Sequence, residues 1–590
     1  MNTKIVLVAV LIAAAVVAGA AIMMMGGHSI SDDGAIDEAD SRISDTTIDT
    51  GEDSSVKNEG TFTVTFVGGT ADAWTATSNG SETTITFANI TEDSSYSISG
   101  TLNGNIVIDA GDFDFELALE GVTISSSKEV PLCITGGDNV EISAKKDTTN
   151  YIYDNRSAVS DDDISASLYS KCDLKLKGKG KLVIVSQSNN GIHSKDDMEV
   201  KNLTLYVTCV DNALKGNDSV TITSGTLILN ATSGDGIKTS NSDVSSKGVQ
   251  RGTVTINSDD GDTSVTIKAY CDGIDAAYDV VIEETENNDV TVDIIAGTGA
   301  TSSGTSASAG SQTIGRNGPP GWGGNPGGNS WGQGGPNSEG NSNKADYSCK
   351  GIKADNSIMI KSGTVTIDSF DDCLHANNDN ALENGKNPAG DVFISGGTIT
   401  LNSKDDAIHA DGSLTVSGGT VKITGSYEGL EGDTVTISGG NVSLVSTDDG
   451  INSTATSGTG ITVSGGSLYV YAGGDGLDSN SRTSYAGIKF QGGDVIIIST
   501  SGMNSSIDSE AGYSYSGGNV LAICPQGMTQ EVTRADSWNN EATYKTMSLS
   551  KGSTVKVTIG STTVIATTMP VSISNAFVVY LGSNSATISA

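Results

Sequence analysis

The chain has 590 residues, with 33 basic and 71 acidic side chains and a net charge of −38 at pH 7. That balance argues against nucleic acid as a partner, and it sets any anionic ligand against the protein's own field unless a cation lies between them. Only 36% of residues are hydrophobic and 5% aromatic, too few for a bulky globular core but enough for the thin apolar column of a solenoid.

At the N-terminus, Lys4 precedes an apolar run from Ile5 to Met25, followed by Gly26-Gly27 and an acidic, polar stretch. A run of about 21 residues can span a bilayer, and the flanking charges favour an inside N-terminus and an exported remainder. Residues 1–27 are therefore expected to be a transmembrane anchor or a signal segment, with Ala18-Gly19-Ala20 keeping cleavage open. The protein is then anchored at the cell surface, or secreted if the segment is removed. Residues 28–58 read as a disordered acidic linker. Residues 59–145 read as an N-terminal β region with the first coils, from runs such as Thr61 to Val67 and Asn105 to Asp109. Cysteines at 133, 172, 209, 271, 349, 373 and 524 show no CxxC spacing, which argues against structural zinc. Cys271 and Cys349 occupy matching places in consecutive repeats, so they are either a disulfide pair or buried small residues.

From about residue 146 a short signature recurs, typified by Asp-Asp-Gly-Ile-Asn-Ser at 448–453. Its central residues are Ile192, Leu214, Ile237, Ile274, Ile352, Leu374, Ile408, Leu430, Ile451, Leu477 and, in degenerate form, Ile507. Their closest spacings of about 21 to 23 residues mean a solenoid. Between signatures, runs such as Ser-Gly-Gly-Thr-Val-Lys-Ile (417–423) alternate β-branched and polar residues after a Gly pair. Such runs read as strands with tight corners. About three strands in each repeat, with no helical periodicity, fit one coil of a parallel β-helix over 146–515. Residues 297–346, rich in Gly, Pro and Asn, interrupt it as an excursion from one coil, where Trp322 and Trp331 offer planes for sugar stacking or do nothing specific. After 516 the signature disappears, and runs such as Thr554 to Ile559 suggest a C-terminal β cap over 516–590. The expected fold is all-β: a parallel β-helix with an N-terminal anchor and a C-terminal cap.

Within each signature the Ile or Leu and the small residue two places on should face the core, with the residue between them facing outward. The position two before the centre carries Asp272, Asp372, Asp406, Glu428, Asp449 and Asp475, and the one before that Asp371, Asp405 and Asp448. Equivalent residues in adjacent coils of such a stack lie about 4.8 Å apart. Two bare carboxylates at that distance repel by about 3 to 4 kcal/mol at an effective dielectric near 20. Asp and Asn before Gly are ordinary turn formers, but the Asp doublets, and Glu428 and Glu431 where Glu forms no turn, favour a bound cation. Oxygen-only ligands and six to eight coordination point to calcium. The nine carboxylates named are the expected metal ligands. The outward position includes Lys353, His375, His409, Glu431 and Asp478, basic toward the N-terminal end and acidic toward the C-terminal end. These five are the expected contacts for a linear polymer.

The ordered series Asp-Asp-Ala-Ile-His-Ala-Asp-Gly, Tyr-Glu-Gly-Leu-Glu-Gly and Asp-Asp-Gly-Ile-Asn-Ser, with Tyr-Ser-Ile-Ser-Gly-Thr-Leu-Asn-Gly (96–104) and Leu-Tyr-Ser-Lys-Cys-Asp-Leu (168–174), resembles the clostridial-type carbohydrate-binding domain proteins. The resemblance covers roughly 90–590. It implies a calcium-binding, right-handed parallel β-helix of the cell surface, related in fold to pectate lyases, that binds cellulose and acidic pectic polymers such as polygalacturonate. Lys350, Asn190 and Asn212 depart from the acidic position. The main expectation is a non-catalytic binder. The alternatives are a structural adhesin and a calcium-dependent polysaccharide lyase, in which Lys353 or Lys238 beside Asp272 and Asp372 serves as base.

Overall fold

The computed structural model describes residues 60–157, 164–298, 348–378, 380–383, 385–482, 486–527 and 542–590. The expected anchor (1–27) and acidic linker (28–58), and almost all of the 297–346 excursion with Trp322 and Trp331, lie outside them. Among the described residues there is no α-helix, and no helix is long and apolar enough to cross a membrane. The protein is all-β.

Through the signature-bearing part of the chain, strands come in threes, and each pairs in parallel with its counterpart one repeat before and one after; the strands at the N-terminal end, Thr63–Gly68 and Trp74–Asn79, pair antiparallel. The signature strand Leu214–Gly216 is followed by Ser219–Ile222 and Gly225–Ala231. These pair in parallel with Ile237–Thr239, Thr253–Asn257 and Thr263–Ala269 respectively. The same rule runs to Ile507–Ser509, Tyr513–Tyr515 and Asn519–Pro525. Parallel pairing is already present near the N-terminal end, where Ser94–Asp109 lies beside Phe115–Ser126. The central residues align in one continuous register from Ile192 to Ile507, including Ile274 opposite Ile352 across the excursion. All are fully buried, as are the small residues two places on, including Ala276, Ala376 and Ser453. Inward and outward positions alternate as the two-residue period of a strand requires. In-register stacking means each apolar column is built from side chains that touch their own kind.

Glycines set the corners in two different ways. At Gly418-Gly419 the second residue has φ +78°, and a Cβ on the first would lie 2.3 Å from the Ser395 carbonyl oxygen of the preceding coil. Both a left-handed backbone and a bare Cα are needed there. The signature glycine, by contrast, is not in the left-handed region. A Cβ at Gly450 would lie 2.2 Å from Val470 Cγ1 and 2.5 Å from the Gly476 carbonyl oxygen. Its role is close approach of the backbone to the packed interior, not the turn itself.

The stack ends where Asn519–Pro525 pairs antiparallel with Ile573–Leu581, which pairs antiparallel with Ala542–Leu549. A three-stranded sheet of Thr554–Ile559, Thr562–Thr568 and Thr587–Ser589 completes the C-terminal part. Under it the outward residues of the last coils turn apolar: Ile498, Leu521 and Ile523 are buried against Leu549, Val557 and Val578. The polar exterior becomes an internal interface where the cap lies. All described cysteines are free, so Cys271 and Cys349 form no disulfide, and Cys349 packs in the interior.

Truncating Ile451 to Ala, buried between Leu430 and Leu477, is expected to cost about 2 to 5 kcal/mol. The outward Asn452→Ala should cost under about 1 kcal/mol. Denaturant unfolding of the two variants checks the assignment of faces.

Candidate functional site along the carboxylate columns

The position two before each central residue forms a ladder. The Asn212 amide donates to Asn190 Oδ1 (3.0 Å), that of Asp235 to Asn212 Oδ1 (3.0 Å), and that of Asp272 to Asp235 Oδ1 (3.0 Å). The Lys350 amide donates to Asp272 Oδ1 (2.6 Å), that of Asp406 to Asp372 Oδ1 (3.1 Å), that of Glu428 to Asp406 Oδ1 (3.2 Å), and that of Asp475 to Asp449 Oδ1 (2.6 Å). Each short Asx side chain thus accepts the corner amide of the next coil, an N–H that would otherwise be buried without a partner. The doublet is locked from below by a hydroxyl. Ser369 Oγ donates to the Asp371 carbonyl (2.7 Å), and Ser403 Oγ to that of Asp405 (2.9 Å). Asn190 and Asn212 do the same work as Asp, so the ladder needs an oxygen and not a charge.

The charge matters at the second carboxylate oxygen, and here the column divides. Toward the N-terminal end, cations of the protein itself meet it. Lys238 Nζ lies 2.8 Å from Asp235 Oδ2 and 2.6 Å from Asp275 Oδ2, and Lys353 Nζ lies 3.1 Å from Asp275 Oδ1. Lys350 Nζ lies 2.7 Å from Asp371 Oδ2 and 3.1 Å from Asp372 Oδ2. The Ser348 hydroxyl reaches both oxygens of Asp272. His375 Nδ1 lies 2.6 Å from Asp372 Oδ2, and His409 Nδ1 3.2 Å from Asp406 Oδ2. Burial works to raise the Asp372 pKa, but Lys350, His375 and His409 outweigh it and hold the carboxyl well below the usual range. Asp371, Asp372 and Asp405 bring carboxylate oxygens within 4.8 Å of one another, and Asp371 Oδ1 is buried without a hydrogen bond among the described residues.

Toward the C-terminal end the compensating cations give out. Burial, with Asp406 and Glu431 nearby, pushes Glu428 up to about 9, although Asn452 Nδ2 donates to its Oε2 at 3.0 Å. Burial and the carboxylates of Asp448, Asp478 and Asp508 push Asp449 up to about 7; burial with Asp449, Asp508 and Asp478 pushes Asp475 up to about 8. Burial and then Asp508 and Glu510 raise Asp478 to about 6. The charged neighbours that act most on this group are all carboxylates. It offers hard oxygens without nitrogen or sulfur, a donor set that fits calcium.

The outward column is in register from Lys215 through Lys238, Asp275, Lys353, His375, His409, Glu431, Asn452 and Asp478 to Asp508. These side chains are half-buried, not open to solvent, because neighbours one coil away shield each other. His193 departs furthest, being 1% exposed with its ring edge-on to Tyr169. The structure therefore gathers Asp371, Asp372, Asp405, Asp406, His375, His409 and Glu431 in one stretch and Asp448, Asp449, Asp475 and Asp478 in another, with Asp272 and Lys353 in a third, Lys-bridged stretch. Sequence reasoning passed over Asp411, whose Oδ1 lies 3.3 Å from His409 Nε2. Its signal was the acidic residue directly after Ile-His-Ala, outside the three columns named above. A separate cleft of about 790 Å³ lies near the N-terminal end, lined by polar groups that include Asp93, Asp114, Asn139, Asp173 and Lys175.

Stacked three-strand coils carrying carboxylate and mixed-charge columns define an all-β repeat protein with a linear polar track. Comparison with known proteins gives that class its family. The family of carbohydrate-binding domain-containing proteins matches residues 79–390 and 385–429, more than half of the chain, and the chain belongs to it. A carbohydrate-binding domain-containing protein of Acetivibrio thermocellus is 34% identical over 117 residues, 19% of this chain and 41% of the relative. The match thus spans less than half of that relative's length. A solved structure described as the polysaccharide lyase-like protein from C. thermocellum, gadolinium derivative, is 28% identical over 39% of this chain and 91% of its own. Its TM-score of 0.33 is too low to carry a structural argument.

Two outcomes separate the ladder from its charge. Asp449→Ala removes the acceptor of the Asp475 amide and should cost about 1 to 3 kcal/mol, whereas Asp449→Asn keeps the acceptor and should stabilise the protein in chelator. Carboxyls raised in the folded state bind more protons there than in the unfolded chain, so their contribution falls as pH rises. With chelator present, the melting temperature should therefore drop as pH rises from about 5 to about 9, by less in Asp449→Asn and Asp475→Asn.

Proposed function

We propose that the protein is a non-catalytic binder of plant cell-wall polysaccharide, cellulose or polygalacturonate. In this reading the coils form a right-handed parallel β-helix, calcium is held along it, and residues 1–27 display it at the cell surface. The observation that carries the reading is the unbroken register of the outward column, which repeats one polar contact per coil along the stack and so matches a polymer with its own repeat. Family membership supports carbohydrate as the ligand. Lys353, His375, His409, Glu431 and Asp478 are the side chains proposed to meet it.

Calcium is proposed first at Asp448, Asp449 and Asp475, with Asp478 beside them, where carboxylates face carboxylates and a divalent ion would relieve their repulsion. Glu428 borders this group. Asp272, Asp371, Asp372, Asp405 and Asp406 come second, because Lys350, Ser348 and the histidines already contact several of these oxygens.

A lyase needs a base with a lowered pKa to take the proton beside a uronate carboxylate. Burial works to lower the Lys353 pKa, but Asp275 and Asp272 outweigh it and hold the ammonium above its ordinary value; Asp235 and Asp275 do the same for Lys238. Both amines are thus kept protonated, which favours binding over elimination.

The full-length chain, incubated with insoluble cellulose and with polygalacturonate, should be retained on at least one of them and release no unsaturated product. Product that disappears in Lys353→Ala would reverse the reading in favour of a lyase. Retention on neither polymer would favour a structural adhesin. Calcium should raise the melting temperature of chelator-treated protein, as binding to the folded state alone requires, and Asp475→Asn should weaken that shift.

A further inference from the structure

Three ligand atoms from two adjacent coils converge at one point, where a histidine nitrogen joins Asp406, a carboxylate also named above for calcium. His409 Nδ1 lies 3.2 Å from Asp406 Oδ2 and 3.1 Å from Glu431 Oε2. The Asp406, His409 and Glu431 ligand atoms all fall within 4.8 Å of one another. The arrangement is fixed by the fold. His409 and Glu431 are register partners on paired strands, and Asp406 Oδ1 is held by the Glu428 amide. It is also fixed from behind: His409 Nε2 lies 3.3 Å from Asp411 Oδ1, and the Asn378 amide donates to Asp411 Oδ2 at 2.8 Å.

With Nε2 turned to Asp411, Nδ1 faces the two carboxylate oxygens. The point among these three atoms takes a positive charge, either a proton on the ring or a metal ion. A tetrahedral ion with bonds of about 2.0 to 2.1 Å sets its ligand atoms about 3.3 Å apart, close to the separations seen. A histidine that binds a metal through one nitrogen and a carboxylate through the other is the usual arrangement in zinc sites. The imidazole also sets this point apart from the oxygen-only group around Asp449, since it favours a transition ion over calcium. Three protein ligands leave a tetrahedral ion one further position, and the His409 and Glu431 side chains are only partly buried.

We propose that Asp406 Oδ2, His409 Nδ1 and Glu431 Oε2 form a three-ligand site for a divalent transition ion of the zinc class, oriented by Asp411. The competing occupant is a proton on Nδ1, which would make His409 an internal cation of the same kind as Lys350.

Cobalt is the probe, because tetrahedral Co²⁺ absorbs strongly in the visible and six-coordinate Co²⁺ weakly. Chelator-treated full-length protein is titrated with Co²⁺ in the absence of polysaccharide, so the outcome is independent of carbohydrate binding. An intense visible band saturating at one ion per chain, bleached by Zn²⁺ and unmoved by an equal concentration of Ca²⁺, is expected. Glu431→Gln and His409→Gln should abolish the band. Asp411→Asn, which keeps all three ligands, should weaken affinity about 10- to 100-fold. If His409→Gln does not fold, the other two variants decide. No band, a band unchanged in Glu431→Gln and Asp411→Asn, or displacement by equimolar Ca²⁺ would overturn the proposal and leave the proton as occupant.

Discussion

Parallel, in-register stacking makes every side chain the neighbour of its own counterpart one coil on. For apolar positions this is pure gain, because the Ile and Leu of successive signatures pack without mismatch into one buried column. For corner amides it creates a problem that Asx side chains solve, each accepting the N–H of the coil that follows. For charges it is a penalty that accumulates with length. The rest of the molecule can be understood as the set of devices that keep this one constraint tolerable.

Those devices change along the stack. Lys238 bridges Asp235 and Asp275, Lys350 bridges Asp371 and Asp372, and Lys353 reaches Asp275 from the next coil. Next come His375 and His409, whose rings stack in parallel with centroids 4.6 Å apart. Beyond them Glu431, Asn452 and Asp478 occupy the same column and contribute no positive charge. The protein therefore moves from self-neutralised coils, through a stretch built around imidazole, to one whose carboxyls are held partly protonated or need an ion from outside.

Much of this was legible in the sequence because the repeat is short and its spacing strict. Aligning the copies by eye on Ile192 through Ile507 reproduces the register of the strands, and the alternation of faces follows from the period alone. The change of sign along the outward column was equally visible. What could not be read was which partner each carboxylate oxygen would find. Asp272, Asp372 and Asp449 look alike in sequence, yet the first is met by Ser348, the second by Lys350 and His375, and the third by other carboxylates. Those contacts depend on side-chain reach from flanking coils, and for Ser348 from beyond a long excursion. The role of the Asp as an amide acceptor was also hidden, since the same residue before Gly is the ordinary mark of a turn. The signature glycine is required by close packing and not by a reversed backbone.

The coil at Ile274 shows what this architecture permits. On one side of the excursion the Gly297 amide donates to the Cys271 carbonyl and that of Thr298 to Ala269; on the other the Lys350 amide and the Ser348 hydroxyl are held by Asp272. Both ends of an excursion of nearly fifty residues are thus fastened to the same four-residue corner, and Ile352 resumes the column in register with Ile274. Closing a longer loop costs little once its ends are pinned, about 0.6 kcal/mol for each doubling of length. That corner is a ready-made splice point, where evolution or an engineer can graft a module without shifting a single rung above or below it.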